Sequence, residues 1–351
     1  VEKVCEMLRS RVKSLDQLKN QLLNELEDEN SGLRFAMLKS EQHNRWFTQL
    51  SIRQSIEAIC HQFLDQDKLL AFIEPYSIQE PTSPQKIGLV LAGNLPLVGF
   101  HDVLCCLLSM HIPMIKLSSK DKFLIPYFLK EWAKIEGSSN DSDSQAFKVV
   151  ERLAGFDAII ATGSNNSGRY FEFYFGKYPN IIRKNRSSLA ILDGSESKEE
   201  IQSLAHDCFD YFGLGCRSVS KLYFPRDYSI PSLLDQLEEW KPLMQHHKYK
   251  NNYDYNRAIL LLNETPHFAS DYLMMQENEA ISSPVSIIYF EYYDDIDALT
   301  QKLQPRKEEI QCLVSKAELK GFQIVQPGQA QKPALDDFAD GVDSIEFLLS
   351  L

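Results

Sequence analysis

The stretch Ile87-Gly88-Leu89-Val90-Leu91-Ala92-Gly93-Asn94-Leu95-Pro96 decides how this chain folds. Ile87 to Leu91 is an apolar run of strand length, and Ala92 to Pro96 breaks it. Val98 to Met110 is apolar on nearly every side, which predicts a buried helix. Ile112 to Leu117 predicts a second strand. Strand, helix and strand in that order make a βαβ unit, so the fold class is α/β with a parallel sheet. The polar loop Ser118-Ser119-Lys120-Asp121-Lys122 leaves the second strand at the edge where open α/β sheets take ligands.

Before this unit, residues 1–75 predict packed helices. Leu18, Leu22, Leu23 and Leu26 fall at helical spacing, and Trp46, Phe47, Ile52, Ile56 and Ile59 continue the pattern. Gln79 to Gln85 predicts a turn-rich connector. Beyond the unit come a helix over 123–135 and a polar loop from Gly137 to Ser144. The next strand, Phe156 to Ala161, runs into Thr162-Gly163-Ser164-Asn165-Asn166-Ser167-Gly168, which opens a helix through Phe175. A glycine turn at a helix N-terminus can bind phosphate with free N–H groups, and an ordinary βα turn looks the same. Arg183-Lys184-Asn185-Arg186 reads either as solvated surface or as a phosphate contact.

Ser188 to Leu192 predicts a strand, and Ser197-Lys198-Glu199-Glu200 is a capping box. The helix it starts carries Ile201, Leu204, Ala205, Cys208, Phe209 and Phe212 on one face and delivers the chain to Gly213, Gly215 and Cys216. Further strands are expected near 221–225, 258–262 and 285–290. The polar, aromatic segment 251–255 reads as a loop or as a cleft lining.

Net charge is -12 over 351 residues, with 44% hydrophobic and 25% charged. An acidic balance argues against a nucleic-acid partner. The seven cysteines are irregularly spaced with no C-x-x-C pair, so neither zinc nor a disulfide framework is expected, and no metal is assigned. Free thiols, with no leader segment, predict a cytoplasmic setting. The apolar stretch over 87–115 is interrupted by Asn94, Pro96, His101 and Asp102. A membrane span needs about 20 apolar residues with few interruptions, so none is expected.

A cysteine is most often a buried structural residue. Around Cys216, the preceding glycines allow close backbone approach, and the polar residues after it suit a helix or turn N-terminus that would lower a thiol pKa. Asn94 could equally be a turn residue at a strand end. His101, at the start of a buried helix, reads as a structural histidine before it reads as a base. The pair His246-His247 lacks further ligands at metal spacing.

Ala92-Gly93-Asn94-Leu95-Pro96, Lys116-Leu117-Ser118-Ser119-Lys120, Thr162-Gly163-Ser164 and Gly215-Cys216 occur in an order that resembles the aldehyde dehydrogenase superfamily. More closely, the chain from about Ile87 onward resembles the acyl-CoA reductases, among them the fatty-acid reductase component of bacterial bioluminescence. Residues 1–85 carry no comparable motif. The resemblance implies a helical N-terminal region over 1–85 packed on the cofactor domain, a Rossmann-like cofactor domain over 86–194 and a catalytic domain over 195–325. Residues 326–351 would then serve oligomerisation or return to the cofactor domain. It implies that Cys216 is the nucleophile and that Asn94 binds the oxyanion. Lys116, Ser118 and Ser119 would hold the adenosine ribose, and Gly163, Ser164 and Gly168 the pyrophosphate.

Two departures refine what the resemblance implies. Relatives that use NAD often carry a glutamate where Ser119 stands; a serine beside Lys116 and Lys120 tolerates a 2′-phosphate, so NADP(H) is expected ahead of NAD(H). The segment that holds a water-activating glutamate in oxidising relatives is here Ser188-Leu189-Ala190-Ile191-Leu192-Asp193-Gly194, with Ala190 or Ile191 at the glutamate position. An acyl group on Cys216 would then resist water and wait for hydride. The expected activity is reduction of an activated, long-chain acyl donor to the aldehyde, the donor being acyl-CoA, an acyl-carrier or an acyl-protein. A homo-oligomer and an acyl-protein synthetase partner are implied by the same resemblance. The alternative is an acyltransferase or thioesterase that uses Cys216 without hydride.

Overall fold

The computed structural model describes residues 2–78, 83–137, 146–163 and 165–351, the side chains of 2–5, 165 and 166 aside. Most of the Gln79–Gln85 connector, most of the polar loop after Gly137, and Ser164 lie outside the described residues. The chain divides into two compact units, residues 1–184 with 334–351, and residues 185–333.

The first unit begins with four helices: α1 (Glu2–Glu27), α2 (Gly32–His43), α3 (Gln49–Gln62) and α4 (Gln66–Ile73). Ser31, Thr48 and Asp65 cap the last three by accepting a backbone N–H, each cap contributing about 1 kcal/mol. Leu18 and Leu22 of α1 and Ile52, Ile56 and Ile59 of α3 are buried at the spacing read from the sequence. They share one core with the next elements, β1 (Lys86–Val90), α5 (Phe100–Leu108), β2 (Ile112–Lys116) and α6 (Leu124–Ile135). Helix α5 is buried nearly all round, as its composition predicts. Then follow β3 (Lys148–Val149), β4 (Ala158–Thr162), α7 (Asn165–Phe175) and β5 (Asn180–Arg183). The strands form a parallel sheet in the order β3-β2-β1-β4-β5.

The second unit runs through β6 (Ser187–Ile191), α8 (Lys198–Phe209), β7 (Val219–Pro225), α9 (Ile230–Gln236), α10 (His247–Leu262), β8 (Phe268–Ala269), β9 (Met274–Glu277), β10 (Ile287–Tyr293), α11 (Ile296–Leu303), β11 (Ile310–Ser315) and β12 (Ile324–Val325). Its sheet has the order β12-β11-β6-β7-β10-β9-β8, parallel except at β8. Side chains alternate across a strand. Ala190 and Leu192 accordingly enter a core with α8, while Leu189 and Ile191 enter a second core with α11. The capping box at Ser197 and Glu200 is present with both reciprocal hydrogen bonds.

Four expectations need correction. The strand expected at 258–262 is the end of α10, and segment 251–255 lies inside the same helix with Tyr253 buried. A five-residue apolar run does not distinguish a buried strand from a helix end; here Ile259, Leu261 and Leu262 are exposed. The division between units falls at Lys184/Asn185, not at residue 194, because β6 pairs with β7 and β11 of the second sheet. Arg183 is neither solvated nor available to a phosphate. It is buried, 2.5 Å from Asp102 and 2.9 Å from the Ser344 hydroxyl.

That last bond belongs to a set that stitches the tail, 334–351, into the first unit. Tyr76 donates to Asp343, the His101 ring meets the Leu335 carbonyl, and the His111 ring meets that of Leu348 in α12 (Ser344–Leu349). His101 is therefore a structural residue, and burial pushes its pKa down. Removing one partner of a buried ion pair leaves an uncompensated charge, whereas replacing both with apolar groups is far better tolerated. Asp102→Ala is expected to destabilise the protein by about 3–5 kcal/mol. The double change Asp102→Leu/Arg183→Met should recover most of that loss in urea unfolding.

Candidate active site

In the first unit the described residues among the predicted cofactor contacts follow two strands, β2 and β4, which flank β1. Lys116 is the exposed last residue of β2, and Ser118 and Ser119 follow it. Gly163 follows β4, and its N–H donates to the Arg183 carbonyl. A methyl group on Gly163 would stand 2.7–2.8 Å from Phe171 and Ser167, so the close turn requires glycine. Gly168 lies buried in α7 against Lys184. Lys184 itself pairs with Glu172.

Asn94 is half-buried in the bend after β1. That bend is fixed from both sides. The Leu91 N–H donates to the Lys116 carbonyl, and the Leu97 N–H, on a residue at φ +60°, donates to the Asp121 carboxylate at 2.9 Å. Gly93 packs so tightly on Ser118 that a Cβ would come within 2.3 Å of the hydroxyl. Asp121 is buried, its other oxygen has no protein partner, and desolvation pushes its pKa up to about 6.

In the second unit, α8 ends at Phe209 and the chain turns sharply. Tyr211, Phe212 and Gly213 all have positive φ, at 54°, 60° and 72°. For the two aromatic residues this conformation costs about 1–2 kcal/mol each. Phe212 is held by stacking on His246 at 4.3 Å. The turn Gly215–Ser218 is closed twice, by the Ser218 N–H on the Gly215 carbonyl and by the Gly215 N–H on the Ser218 hydroxyl. Cys216 sits in this turn and not at a helix N-terminus, and its carbonyl accepts from the Ser188 hydroxyl at 3.0 Å. Its side chain is exposed, whereas Cys60, Cys105, Cys106, Cys208 and Cys312 are buried. Burial raises the Cys60 thiol to about 12 and those of Cys105, Cys106 and Cys208 well above the ordinary range.

Ala190 and Ile191 are buried apolar residues, as read. The nearby Asp193 is bound by the hydroxyl and N–H of Ser195 in its own surface turn, which lowers its pKa.

Four residues here escaped the sequence reading. Ser188 contacts Cys216 directly. Asp207, buried in α8, accepts the N–H groups of Gly328 and Ala330. Asp121 fixes the Asn94 bend. Lys221 of β7 is fully buried; its ammonium donates to the Asn278 carbonyl and to Glu291 and lies over the Tyr223 ring. Ser220 holds the Ile281 carbonyl and Arg306 that of Glu279, so three side chains fix the irregular segment 278–281. A lysine in the middle of the run Val219-Ser220-Lys221-Leu222-Tyr223-Phe224 was the one visible signal. Among the described residues, no group of His, Cys, Asp and Glu could hold a metal, and no helix is long and apolar enough to cross a membrane.

A family model described as acyl-CoA reductase (LuxC) matches residues 1–233. The chain belongs to that family. The match starts at residue 1, so the N-terminal helices, which show no motif to the eye, are part of the family pattern. Two curated relatives are a long-chain acyl-protein thioester reductase 2 from Photobacterium leiognathi, 23% identical over 54% of this chain, and a long-chain acyl-protein thioester reductase from Aliivibrio fischeri, 24% identical over 51%. The matched regions span 43% and 40% of those proteins. Among solved structures, aldehyde dehydrogenase 21 from Physcomitrella patens is similar with a TM-score of 0.63 at 12% identity, covering 98% of this chain and 84% of that one. A glyceraldehyde-3-phosphate dehydrogenase from Methanocaldococcus jannaschii, solved with NADP, also gives 0.63 at 12% identity, over 92% and 81%. The fold is that of the aldehyde dehydrogenases.

The raised pKa of Asp121 has a pH signature. Between about pH 4 and 6 the folded chain keeps a proton that the unfolded chain has released. Stability from this group is therefore full below about pH 4 and is lost as pH rises through 6. Asp121→Asn removes the titration. Relative to wild type, its loss of stability between pH 4 and pH 7 should be smaller by about 2–3 kcal/mol, measured by denaturant unfolding at the two pH values.

Proposed function

We propose that the protein reduces a long-chain acyl thioester to the aldehyde through an acyl group carried on Cys216. The observation that carries this reading is the exposed Cys216 thiol on a doubly closed turn that follows three left-handed residues, in a chain whose other described cysteines are buried. The family and the printed names of the two relatives support the substrate class.

The Cys216 thiolate attacks the acyl carbonyl carbon. The Asn94 amide and the Cys216 N–H stabilise the oxyanion, a single such donor being worth about 3–4 kcal/mol. The donor thiolate leaves and takes up a proton, and the acyl group remains on sulfur. The acyl carbon then accepts a hydride, and the resulting hemithioacetal oxyanion expels the Cys216 thiolate to give the aldehyde. Buried Ala190 and Ile191 leave no carboxylate there to activate water, which favours reduction over hydrolysis.

The residues of the first unit fit a nicotinamide dinucleotide. A methyl group at Gly93 would meet Ser118 and one at Gly163 would meet Phe171 and Ser167, so the two turns stay tight, and Lys116 and Ser119 are exposed after β2. Lys116, Ser118 and Ser119 would hold the adenosine ribose, and Gly163, Ser164 and Gly168 the pyrophosphate; the absence of a carboxylate at Ser119 favours NADP(H). When bound, the reduced dinucleotide supplies the hydride. The acyl donor is a thioester on a carrier protein or on coenzyme A, and we extend the reading to a homo-oligomer working beside an acyl-protein synthetase.

Anaerobic mixing with acyl-CoA and NADPH, followed at the nicotinamide absorbance, tests the reading. Oxidation of NADPH with aldehyde formation is expected. Acylation without oxidation would select an acyltransferase or thioesterase. Cys216→Ala should abolish covalent acyl labelling, and retained labelling would remove the cysteine from this role. Asn94→Ala is expected to lower turnover about 10²–10³-fold with little change in stability. Ser119→Glu should shift preference from NADPH towards NADH in steady-state kinetics.

A further inference from the structure

Ser188 is wholly buried on β6, and its hydroxyl touches two cysteines. It donates to the Cys216 carbonyl at 3.0 Å and lies 3.1 Å from the Cys312 sulfur of β11. A serine hydroxyl has one proton to donate and lone pairs to accept. With that proton on the Cys216 carbonyl, the Cys312 thiol is the donor to Ser188. The bonds therefore run in one direction, from the Cys312 S–H to the Ser188 hydroxyl to the Cys216 carbonyl.

The sheet is built irregularly to allow this. On one side of β6 the register steps from Ser188 opposite Val219 to Leu189 opposite Lys221, so β7 carries an extra residue there. On the other side it steps from Ser187 opposite Ile310 to Leu189 opposite Leu313, so β11 also carries an extra residue. Both irregularities flank Ser188. A bulge bends its strand and re-aims side chains. Two of them at one level, beneath the turn that carries Cys216, mark a place where the sheet departs from regularity to support that turn.

We propose that Ser188 is a positioning residue for Cys216, with Cys312 fixing the rotor of its hydroxyl. Ser188 holds the main chain of the turn so that the exposed sulfur keeps one orientation towards an incoming electrophile. This rests on the reading of Cys216 as the nucleophile, and it adds a residue that touches neither substrate nor cofactor.

The test compares Ser188→Ala, Ser188→Thr and Cys312→Ser with the wild-type full chain. For Ser188→Ala, kcat with acyl-CoA should fall about tenfold, the rate equivalent of one hydrogen bond, with KM unchanged. The rate of Cys216 alkylation by iodoacetamide, read by mass spectrometry, should fall in parallel. Ser188→Thr should restore both rates, and Cys312→Ser, which still offers a donor, should keep them. Unchanged kcat and alkylation in Ser188→Ala would overturn the proposal. So would a loss that Ser188→Thr does not restore and that follows the fraction unfolded. If Ser188→Ala does not fold, Cys312→Ala carries the test, with slower alkylation expected and an unchanged rate overturning the idea. Alkylation needs no acyl donor and no nicotinamide. Its outcome therefore stands even if wild-type Cys216 takes no acyl group, which is the result that would remove the proposed function.

Discussion

A reactive sulfur has to be reachable from solvent while the backbone that carries it stays still. Those demands conflict, because exposure removes the packing that would immobilise the residue. At Cys216, the nucleophile we propose, the side chain is exposed and the main chain around it is fixed. The left-handed residues Tyr211, Phe212 and Gly213 bring the chain off α8, and Phe212 is pinned by His246. Ser218 closes the turn from within, and Ser188 holds it from beneath. Backbone strain of a few kcal/mol persists only where surroundings over-determine it, and here they do.

The same logic governs the buried charges. Arg183 with Asp102 and Lys221 with Glu291 add little net stability, because desolvation offsets most of their attraction. What they fix is placement. Arg183 joins the end of β5 to α5 and to the tail helix α12. Lys221, aided by Ser220 and Arg306, holds a segment that has no regular secondary structure of its own. Asp121 and Asp207 do comparable work with single carboxylates on backbone N–H groups, and both are pushed up to about 6 by burial. Each of these groups costs stability to bury, and each organises a bend or a loop that neither helix nor sheet would define.

What could be read from the residues was whatever depends on short range. The βαβ unit from Ile87 to Leu117, the capping box at Ser197 and the helical periodicity before residue 75 are local patterns, and they appear in the structure at nearly the expected residues. The apolar run at 258–262 failed because five residues fit either period. Strand β6 was assigned to the wrong unit because an apolar strand carries no mark of the sheet it will join. Arg183 looked like surface because its partners, Asp102 and Ser344, are far away in sequence. Ser188 and Cys312 could not be found at all. Their meeting depends on two register shifts, which exist only once three strands are paired.

The absent carboxylate bears on how the proposed reaction would choose between water and hydride. A thioester on sulfur is intrinsically prone to hydrolysis once a base prepares the water. At positions 190 and 191 this chain presents alanine and isoleucine, both inside the sheet's cores. Asp193, the nearest acid in sequence, accepts the Ser195 hydroxyl and N–H on one oxygen and is held ionised at the surface. Neither residue 190 nor residue 191 can serve as a proton acceptor for water at an acyl group on Cys216. On this reading selectivity comes from a missing function, since slowing the competing step lengthens the life of the acyl-enzyme without any new contact to the acyl chain. The buried hydroxyl of Ser188 does not restore the lost base: its proton is committed to a main-chain carbonyl, and its lone pairs face a thiol. On the proposed reading, the strand where the resemblance implies a water-activating acid in oxidising enzymes instead holds the main chain of the turn that carries Cys216.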